Sequence, residues 1–469
     1  MSEAGALASL REAAGDELVE RLLHLDRRMT EQQTERRSRE LGPRPPTTHD
    51  ALDCDVLVAG GGLWSVMAPL LAKQGKRIIV VDRARVGAAH REWNANRTEL
   101  DALTNAGLLS ERERDDLIVA EYERGFCQFH GGGPHTVRGV LDCAVDAARL
   151  LDLARRKGEA AGVTYVDGAL VTGETASEAG VRVNLRERDR TREVTCKTMV
   201  DARGASSPYA SFDLVCPTVG GVFRGFAEGS GEREVDPRVG EILVTEEGLD
   251  RGIQHVWELF PGREGEATAY LFYYAKRLEV GSLTQLYARL FAKLPSYKRG
   301  EAKLVRPTFG FIPGWSRLVP PPTSPHRNIV LVGDAAARHS PLTYCGFGSM
   351  LRSLAPLSKA IISGEAYEPH EPIHALTGIL AHVLASRTLE GDALNELLDA
   401  AFATLSGLGQ ETYASMLTDT MKPKDFLRFL QLTARRYPSV WPTLVRAVGV
   451  RGGFHFSKVV MRAFATRAR

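Results

Sequence analysis

The sequence predicts an α/β chain in which a parallel-sheet unit is split by an inserted mixed α+β unit and followed by a helical C-terminal region. Three observations predict this. GGGLWS (Gly60 to Ser65) follows the apolar run Val56 to Ala59 and opens a helical tract. NIVLVGDAAARHSPLTYCGFGSM, starting at Asn328, repeats strand, turn and helix far downstream. Between them lie strand-like tracts such as HVWELFPG (His255 to Gly262) and AYLFYYAKR (Ala269 to Arg277), and beyond Pro369 the chain reads as helices.

The first site reads as strand, tight turn and helix. Asp55 to Ala59 is a short buried strand, Leu63 to Gln74 continues as an apolar helix, and KRIIVVD (Lys76 to Asp82) is a second strand ending in a carboxylate. A glycine turn opening a helix lets backbone N–H groups and the positive helix end approach a pyrophosphate. Gly60 and Gly62 fill the first two glycine positions, and Ser65 stands at the third, where a small residue still permits close helix-to-strand packing. Asp82, about twenty residues after the turn, suits the hydroxyls of an adenosine ribose, with Arg83 beside it. A glycine turn in some other α/β protein is the alternative.

The second site chooses among nucleotides. Gly333-Asp334 ends a buried strand and places a carboxylate where a ribityl hydroxyl would bind. Gly346, Phe347 and Gly348 then precede a helix expected to begin near Ser349, so backbone donors and a helix N-terminus face the pyrimidine edge of a flavin and favour negative charge there. The two sites together point to one FAD in a Rossmann-like FAD-binding domain. The competing reading is a strand-turn-helix whose Asp334 merely caps a helix. On this reading residues 1–50 are an N-terminal helix and linker. Residues 51–205 and 325–365 are the two parts of the FAD-binding domain, residues 206–324 the substrate-domain sheet, and residues 366–469 a basic helical region.

Further blocks carry a family resemblance. REWNANRTELDALTNAGLL (Arg91 to Leu109), VLDCAVDAARLLDLARR (Val140 to Arg156), VDARGASSP (Val200 to Pro208), HVWELFPG, PTFGFIPGW (Pro307 to Trp315) and GDAAARHSPLTYCGFGSMLRSL (Gly333 to Leu354) occur in this order. Together they resemble the CruA/CruP branch of flavoprotein lycopene cyclases and their paralogues, from about residue 50 to residue 365. The resemblance implies noncovalent FAD, a fold like that of p-hydroxybenzoate hydroxylase and geranylgeranyl reductase, and a long apolar polyene substrate. Two departures stand out: Cys345 replaces the first glycine of GGFG, and the Ala269 to Arg277 tract lacks the acid expected on a strand facing the flavin.

Cyclising a lycopene end requires an acid to protonate a terminal double bond. Glu258 is the best remaining candidate. On an alternating strand it shares a face with Val256 and Phe260, where apolar neighbours would raise its pKa; a solvent-facing or salt-bridged carboxylate is the alternative. His339, close to the second glycine site, is a second catalytic candidate, although a lone histidine is more often structural. Arg91 would pair with pyrophosphate or flavin and Asn94 would hydrogen-bond the ring, with helix capping and packing as the alternative for Trp93 and Asn94. Gly204, after Asp201 and Arg203, gives a close turn on the adenosine side. Tyr270, Phe272 and Tyr274 line one strand face, either as core or as a polyene tunnel.

Composition fits a soluble folded enzyme. The chain has 469 residues, 43% of them hydrophobic and 25% charged, with no apolar stretch approaching the roughly 20 residues that span a bilayer. Its acidic start lacks the apolar core of a targeting signal, and its six cysteines lack metal-type spacing, so a reducing cytoplasm and no metal are expected. Residues 421–469 carry eleven Lys or Arg and one acid, a formal +10 in a chain of +2. Interleaved with aromatic residues, this stretch suits peripheral contact with an anionic membrane; a helical lid with solvated arginines is the alternative. It carries no nucleic-acid recognition motif. No second glycine site for NAD(P)H is apparent, so a nicotinamide donor would bind transiently or another protein would supply electrons. Three function classes follow: a redox-neutral polyene cyclase, a flavin oxidoreductase of an isoprenoid or other lipophilic substrate, and a non-catalytic carotenoid- or flavin-binding paralogue.

Overall fold

The computed structural model describes residues 1–34, 42–88, 93–188, 190–337, 339–343, 345–365, 367 and 374–443, and beyond these residues 445, 446, 449, 453, 454, 457, 458 and 461. Arg91 therefore lies outside the described residues, as does much of the basic C-terminal stretch.

The chain opens with α1 (Glu3–Thr34), kinked at Gly15, where φ is 81°. Next come β1 (Cys54–Ala59), a 3₁₀ turn over Leu63–Met67, α2 (Ala68–Lys73) and β2 (Ile78–Asp82). They are followed by β3 (Trp93–Ala95), α3 (Arg97–Asn105), α4 (Glu111–Asp115), β4 (Ile118–Glu121), β5 (Arg124–Gln128), β6 (His135–Val137), β7 (Cys143–Val145) and α5 (Ala147–Ala160). The strands β8 (Thr164–Asp167), β9 (Ala169–Ser177), β10 (Gly180–Glu187) and β11 (Arg190–Asp201) complete this part. The inserted region holds β12 (Leu214–Phe226), β13 (Val239–Val244), β14 (Val256–Pro261), β15 (Glu266–Phe272), β16 (Ala275–Lys276), α6 (Leu283–Tyr297) and β17 (Gly300–Gly314). The chain then returns through β18 (Ile329–Leu331) and α7 (Gly346–Ser363). It ends in α8 (His374–Leu384), α9 (Ala393–Leu408), α10 (Gln410–Leu417) and α11 (Pro423–Arg436).

The first sheet runs β8-β2-β1-β11-β10-β9, with β18 also paired to β11. The first half of β11 pairs antiparallel with β10, whereas its end pairs in parallel with β1 on one side and with β18 on the other. The carboxyl ends of β1, β11 and β18 are thereby brought together, although more than 270 residues separate the first from the last. In such sheets ligands bind beyond the carboxyl ends of the strands. Side-chain alternation along β1 sends Val56 and Val58 into a core shared with Leu71, Leu150 and Leu354, and Leu57 and Ala59 into a second core with Val181, Val183 and Leu185.

The second sheet has eight strands in the order β16-β12-β15-β14-β13-β5-β6, with β17 alongside β12. One face is closed by α6 and α1: Trp257, Leu259, Ala269 and Leu271 pack with Leu286, Leu290, Leu10 and Leu22. Asp26 of α1 fixes this contact by accepting hydrogen bonds from the Leu283 and Thr284 amides at 2.7 and 3.1 Å, satisfying orphan donors at the start of α6. On the opposite face, Phe260 and Ile242 pack with Phe402, Met416 and Phe429 of the C-terminal helices.

Candidate functional site

The turn after β1 is assembled by close approaches. A Cβ at Gly60, where φ is 121°, would lie 2.4 Å from the Ala202 carbonyl oxygen at the end of β11. A Cβ at Gly61 would lie 2.8 Å from Val86 Cα and 2.9 Å from Asp82 Cβ. Gly62 differs, because nothing among the described residues lies within 4 Å of its Cβ position. Gly60 and Gly61 are thus required by the protein itself, and Gly62 leaves space outside it. Gly61 was not singled out from sequence, because a run of three glycines does not reveal which one faces the protein. Ser65 is buried and donates through its hydroxyl to the Gly62 carbonyl at 2.7 Å. The segment from Leu63 forms a 3₁₀ turn before α2, not the continuous helix that its apolar pattern predicts.

Asp82 already has two donors: the Gly61 amide reaches one carboxylate oxygen at 2.7 Å and the Ala84 amide the other at 2.8 Å. Each oxygen keeps a lone pair, so the carboxylate is pre-positioned for a further donor. Arg83 is exposed beside it.

Gly333 and Asp334 follow β18 at the same end of the sheet. Gly333 has φ 56°, and a Cβ there would lie 2.7 Å from Trp64 Nε1, so the two glycine sites touch through Trp64. Gly204, in a short 3₁₀ turn after β11, packs beside Asp334. The Asp334 side chain remains 42% exposed, which leaves a carboxylate available at the shared edge. His339 is buried, with Nδ1 3.3 Å from Asp334 Oδ1 and Nε2 3.0 Å from the Pro313 carbonyl oxygen. It links the second glycine site to the end of β17.

Helix α7 begins at Gly346, earlier than the sequence pattern predicts, so Gly346, Phe347 and Gly348 form its first turn. Gly346 opens onto free space, whereas a Cβ at Gly348 would lie 2.4 Å from Glu99 Oε1. Phe347 packs on Trp93 of β3 at 5.0 Å between ring centroids. Asn94 lies in the same strand; its amide nitrogen is buried without a hydrogen-bond partner and the residue lines a cavity with Phe260, Arg263 and Thr268. The helix cap in this block is Asn96, two residues beyond Asn94: its side chain accepts from the Glu99 amide at 2.7 Å, and Glu99 accepts from the Asn96 amide at 3.1 Å. Cys345 donates to the Leu417 carbonyl at 3.0 Å, tying the start of α7 to α10.

Glu258 lies in β14 opposite Tyr270 of β15, with Val256 and Phe260 on the same strand face. Protein surrounds it, and its strand neighbour Val256 lines a nearby apolar cavity. Burial pushes its carboxyl up to about 8. Beyond Val256, that face opens onto this apolar cavity of about 100 Å³, which Leu342 and Thr343 border before α7 and helices α8 to α11 line. Tyr274 of the same wall donates to the Leu342 carbonyl. Among the aromatic residues singled out from sequence, Phe272 and Tyr274 join the buried cluster with Val256 and α8, and Tyr270 lies across from Glu258. The acid-poor tract Ala269 to Arg277 is not one strand: it divides into the end of β15, β16 and a 3₁₀ turn.

The basic tail also divides. Phe426, Phe429 and Leu430 of α11 are buried, and Phe429, Leu430 and Val440 line the cavity. On the outer side of α11, Lys424, Arg428 and Arg435 are exposed, and Trp441, Val445, Phe454 and Met461 are exposed beyond it. Leu444, Val448, Phe456 and Phe464 lie outside the described residues. No helix among the described residues is long and apolar enough to cross a membrane.

Comparison with solved structures places this architecture in a known fold class. A geranylgeranyl bacteriochlorophyll reductase-like protein from Thermoplasma acidophilum superposes with a TM-score of 0.57 at 17% identity, covering 85% of this chain and 99% of that one. A flavoprotein/dehydrogenase from Cytophaga hutchinsonii matches with a TM-score of 0.51 at 14% identity over 81% of this chain and 99% of its own. The halogenase PltM matches with a TM-score of 0.56 at 13% identity, over 88% and 97%. A variant of that halogenase was solved in complex with FAD. At these identities the likeness establishes the fold: a Rossmann-like sheet with an inserted mixed-sheet region and a helical C-terminal region. The chain matches no protein-family profile and no curated protein.

Proposed function

We propose that the chain is an FAD-dependent enzyme that acts on a long lipophilic polyene by redox-neutral, lycopene cyclase-like end-group chemistry. The observation that carries this reading is Glu258, a carboxylic acid whose raised pKa keeps it protonated at neutral pH, on the strand face that leads into the apolar cavity. The residues at the sheet edge fit FAD, with an open side at Gly62, an available Asp334 carboxylate and an open first turn of α7 at Gly346. Gly60, Ser65, Asp82 and Gly333 shape the two turns, and the neighbour solved with FAD shares the fold. When bound, FAD supplies either electrostatic stabilisation of positive charge or redox chemistry.

In the proposed reaction Glu258 donates its proton to a terminal double bond, a second double bond of the same chain attacks the resulting carbocation and closes the ring, and the new cation loses an adjacent proton back to the Glu258 carboxylate, while the apolar wall excludes water. His339, held between Asp334 and Pro313, orients the Asp334 carboxylate. Asn94, whose buried amide nitrogen has no partner among the described residues, would donate a hydrogen bond to the flavin ring. The second reading, an oxidoreductase of an isoprenoid or other lipophilic substrate, is favoured by the reductase-like and dehydrogenase neighbours. Its electrons would come from a transiently bound NAD(P)H or from a partner protein. Expression in lycopene-accumulating cells with mass analysis of the pigment separates the two. An isomer of unchanged mass supports cyclisation, and a change in mass supports redox turnover. Unaltered lycopene beside flavin-loaded protein refutes the cyclase reading and leaves pigment binding.

We also propose that α11 faces an anionic membrane, the source of an apolar substrate. Its inner face walls the cavity while Lys424, Arg428 and Arg435 point outward, ahead of exposed Trp441. Charge reversal of these three residues should abolish binding to vesicles containing anionic lipid, at about 1 kcal/mol per residue. Unchanged binding would refute it.

A further inference from the structure

The block WNANRTEL supplies a side chain that the proposed chemistry does not use. Glu99 lies in the first turn of α3 and is held there by its capping box with Asn96. Its carboxylate crosses to α7, where it pairs with Arg352 and sits against Gly348, so that a side chain at position 348 would displace it. The pair is sheltered, with Glu99 10% and Arg352 27% exposed. Arg352 Nη2 is buried and has no hydrogen-bond partner among the described residues. Burial raises the Glu99 carboxyl above its ordinary value, against the lowering effect of Arg352. A carboxylate and a guanidinium thus stand beside the first two turns of the helix whose N-terminus opens at Gly346.

Charges in a sheltered site act over several ångströms with little screening. The N-terminal end of α7 carries a partial positive charge that favours electron density placed against it. We propose that the Glu99–Arg352 pair tunes the reduction potential of flavin bound at the α7 N-terminus, Glu99 opposing the positive helix end and Arg352 offsetting Glu99. Both are positioning residues, and the inference rests on the FAD reading above. It also gives the Asn96-to-Glu99 capping box and the glycine at position 348 a common purpose: to hold one carboxylate against the first turn of α7.

The test is the potential of the flavin in full-length holoenzyme. Glu99→Gln keeps the shape and the cap acceptor but removes the negative charge. It should shift the oxidised–reduced equilibrium towards reduced flavin by at least tenfold, about 30 mV for a two-electron couple. Arg352→Gln should shift it in the opposite direction, and the double variant should return close to wild type. Shifts of the same sign, or no shift in Glu99→Gln, would overturn the proposal, since a merely structural brace weakens FAD retention in both variants without opposite displacements. Should Arg352→Gln fail to retain flavin, Glu99→Gln alone decides by the same criterion. The underlying reading is checked separately with Gly346→Val, whose side chain enters open space. Wild-type FAD affinity there would refute flavin placement at α7. Loss of FAD with no shift in Glu99→Gln would refute only the tuning role.

Discussion

The two sides of the site are built by different means. On the nucleotide side, the shape comes from backbone: Gly60 and Gly61 let the turn meet Ala202 and Val86, Gly62 opens outward, and Gly333 admits Trp64. On the sheet side, the shape comes from side chains: Leu243 and Val256 from the sheet, beside the strand face of Glu258, and an apolar wall drawn from four C-terminal helices. The first kind of site tolerates almost no change of residue type, whereas the second depends on volume and polarity. That difference determines how each side should fail under substitution.

The largest effects are expected on the backbone side, where two neighbouring glycines should separate cleanly. Gly62→Val projects into open space, so it should abolish measurable FAD binding by titration while leaving the melting temperature of the FAD-free protein near wild type. Gly60→Ala places a methyl group 2.4 Å from a carbonyl oxygen at positive φ and should destabilise the protein by about 1–3 kcal/mol in denaturant unfolding. Equal behaviour of the two would break the distinction between a glycine required by the fold and one required by the ligand.

On the side-chain side, Glu258→Gln should lower product formation by about 10²- to 10⁴-fold, the usual contribution of a general acid, with FAD affinity unchanged. The same raised pKa has a stability consequence. A carboxyl that is harder to ionise when folded is stabilising below its unfolded value, and that contribution is lost as pH rises through about 8. Glu258→Gln should therefore melt at a higher temperature than wild type above that pH and lose the advantage in acid. A smaller effect is expected from Leu380→Trp, which fills the cavity from α8. It should reduce turnover of a long substrate by about tenfold, about 1.4 kcal/mol, and leave the flavin spectrum intact. A loss of flavin in Leu380→Trp would show that the two sides are not independent.

The same contrast explains what was legible in the sequence. Strand, glycine turn and terminal carboxylate occur within about twenty residues, so the β1 turn, Asp82 and the Gly333-Asp334 turn were readable, and with them the fold class. The face of Glu258 was also readable, because alternation fixes direction along a strand. The cavity was not, since its lining comes from the sheet, from the Leu342 loop and from α8 to α11, and apolar helix residues look alike whether they fill a core or bound a space. The basic tail misled in part for the same reason: its interleaved aromatic residues read as one membrane-facing set, yet Phe426 and Phe429 pack inward while the bases of α11 face out. Glu99 had a visible signal in the Asn96-x-x-Glu99 capping pattern. Its contact with Gly348 had none, because the two residues belong to different helices that meet only in the folded chain.

The central claim is that Glu258 delivers a proton to a polyene held above bound FAD. It is tested most directly by following lycopene conversion by the reduced holoenzyme at pH values on both sides of 8, in wild type and Glu258→Gln. The account expects a product of unchanged mass whose rate falls as pH rises through about 8, and no such product from the variant. Lycopene left unaltered by flavin-loaded wild type, or wild-type conversion by Glu258→Gln, would contradict it.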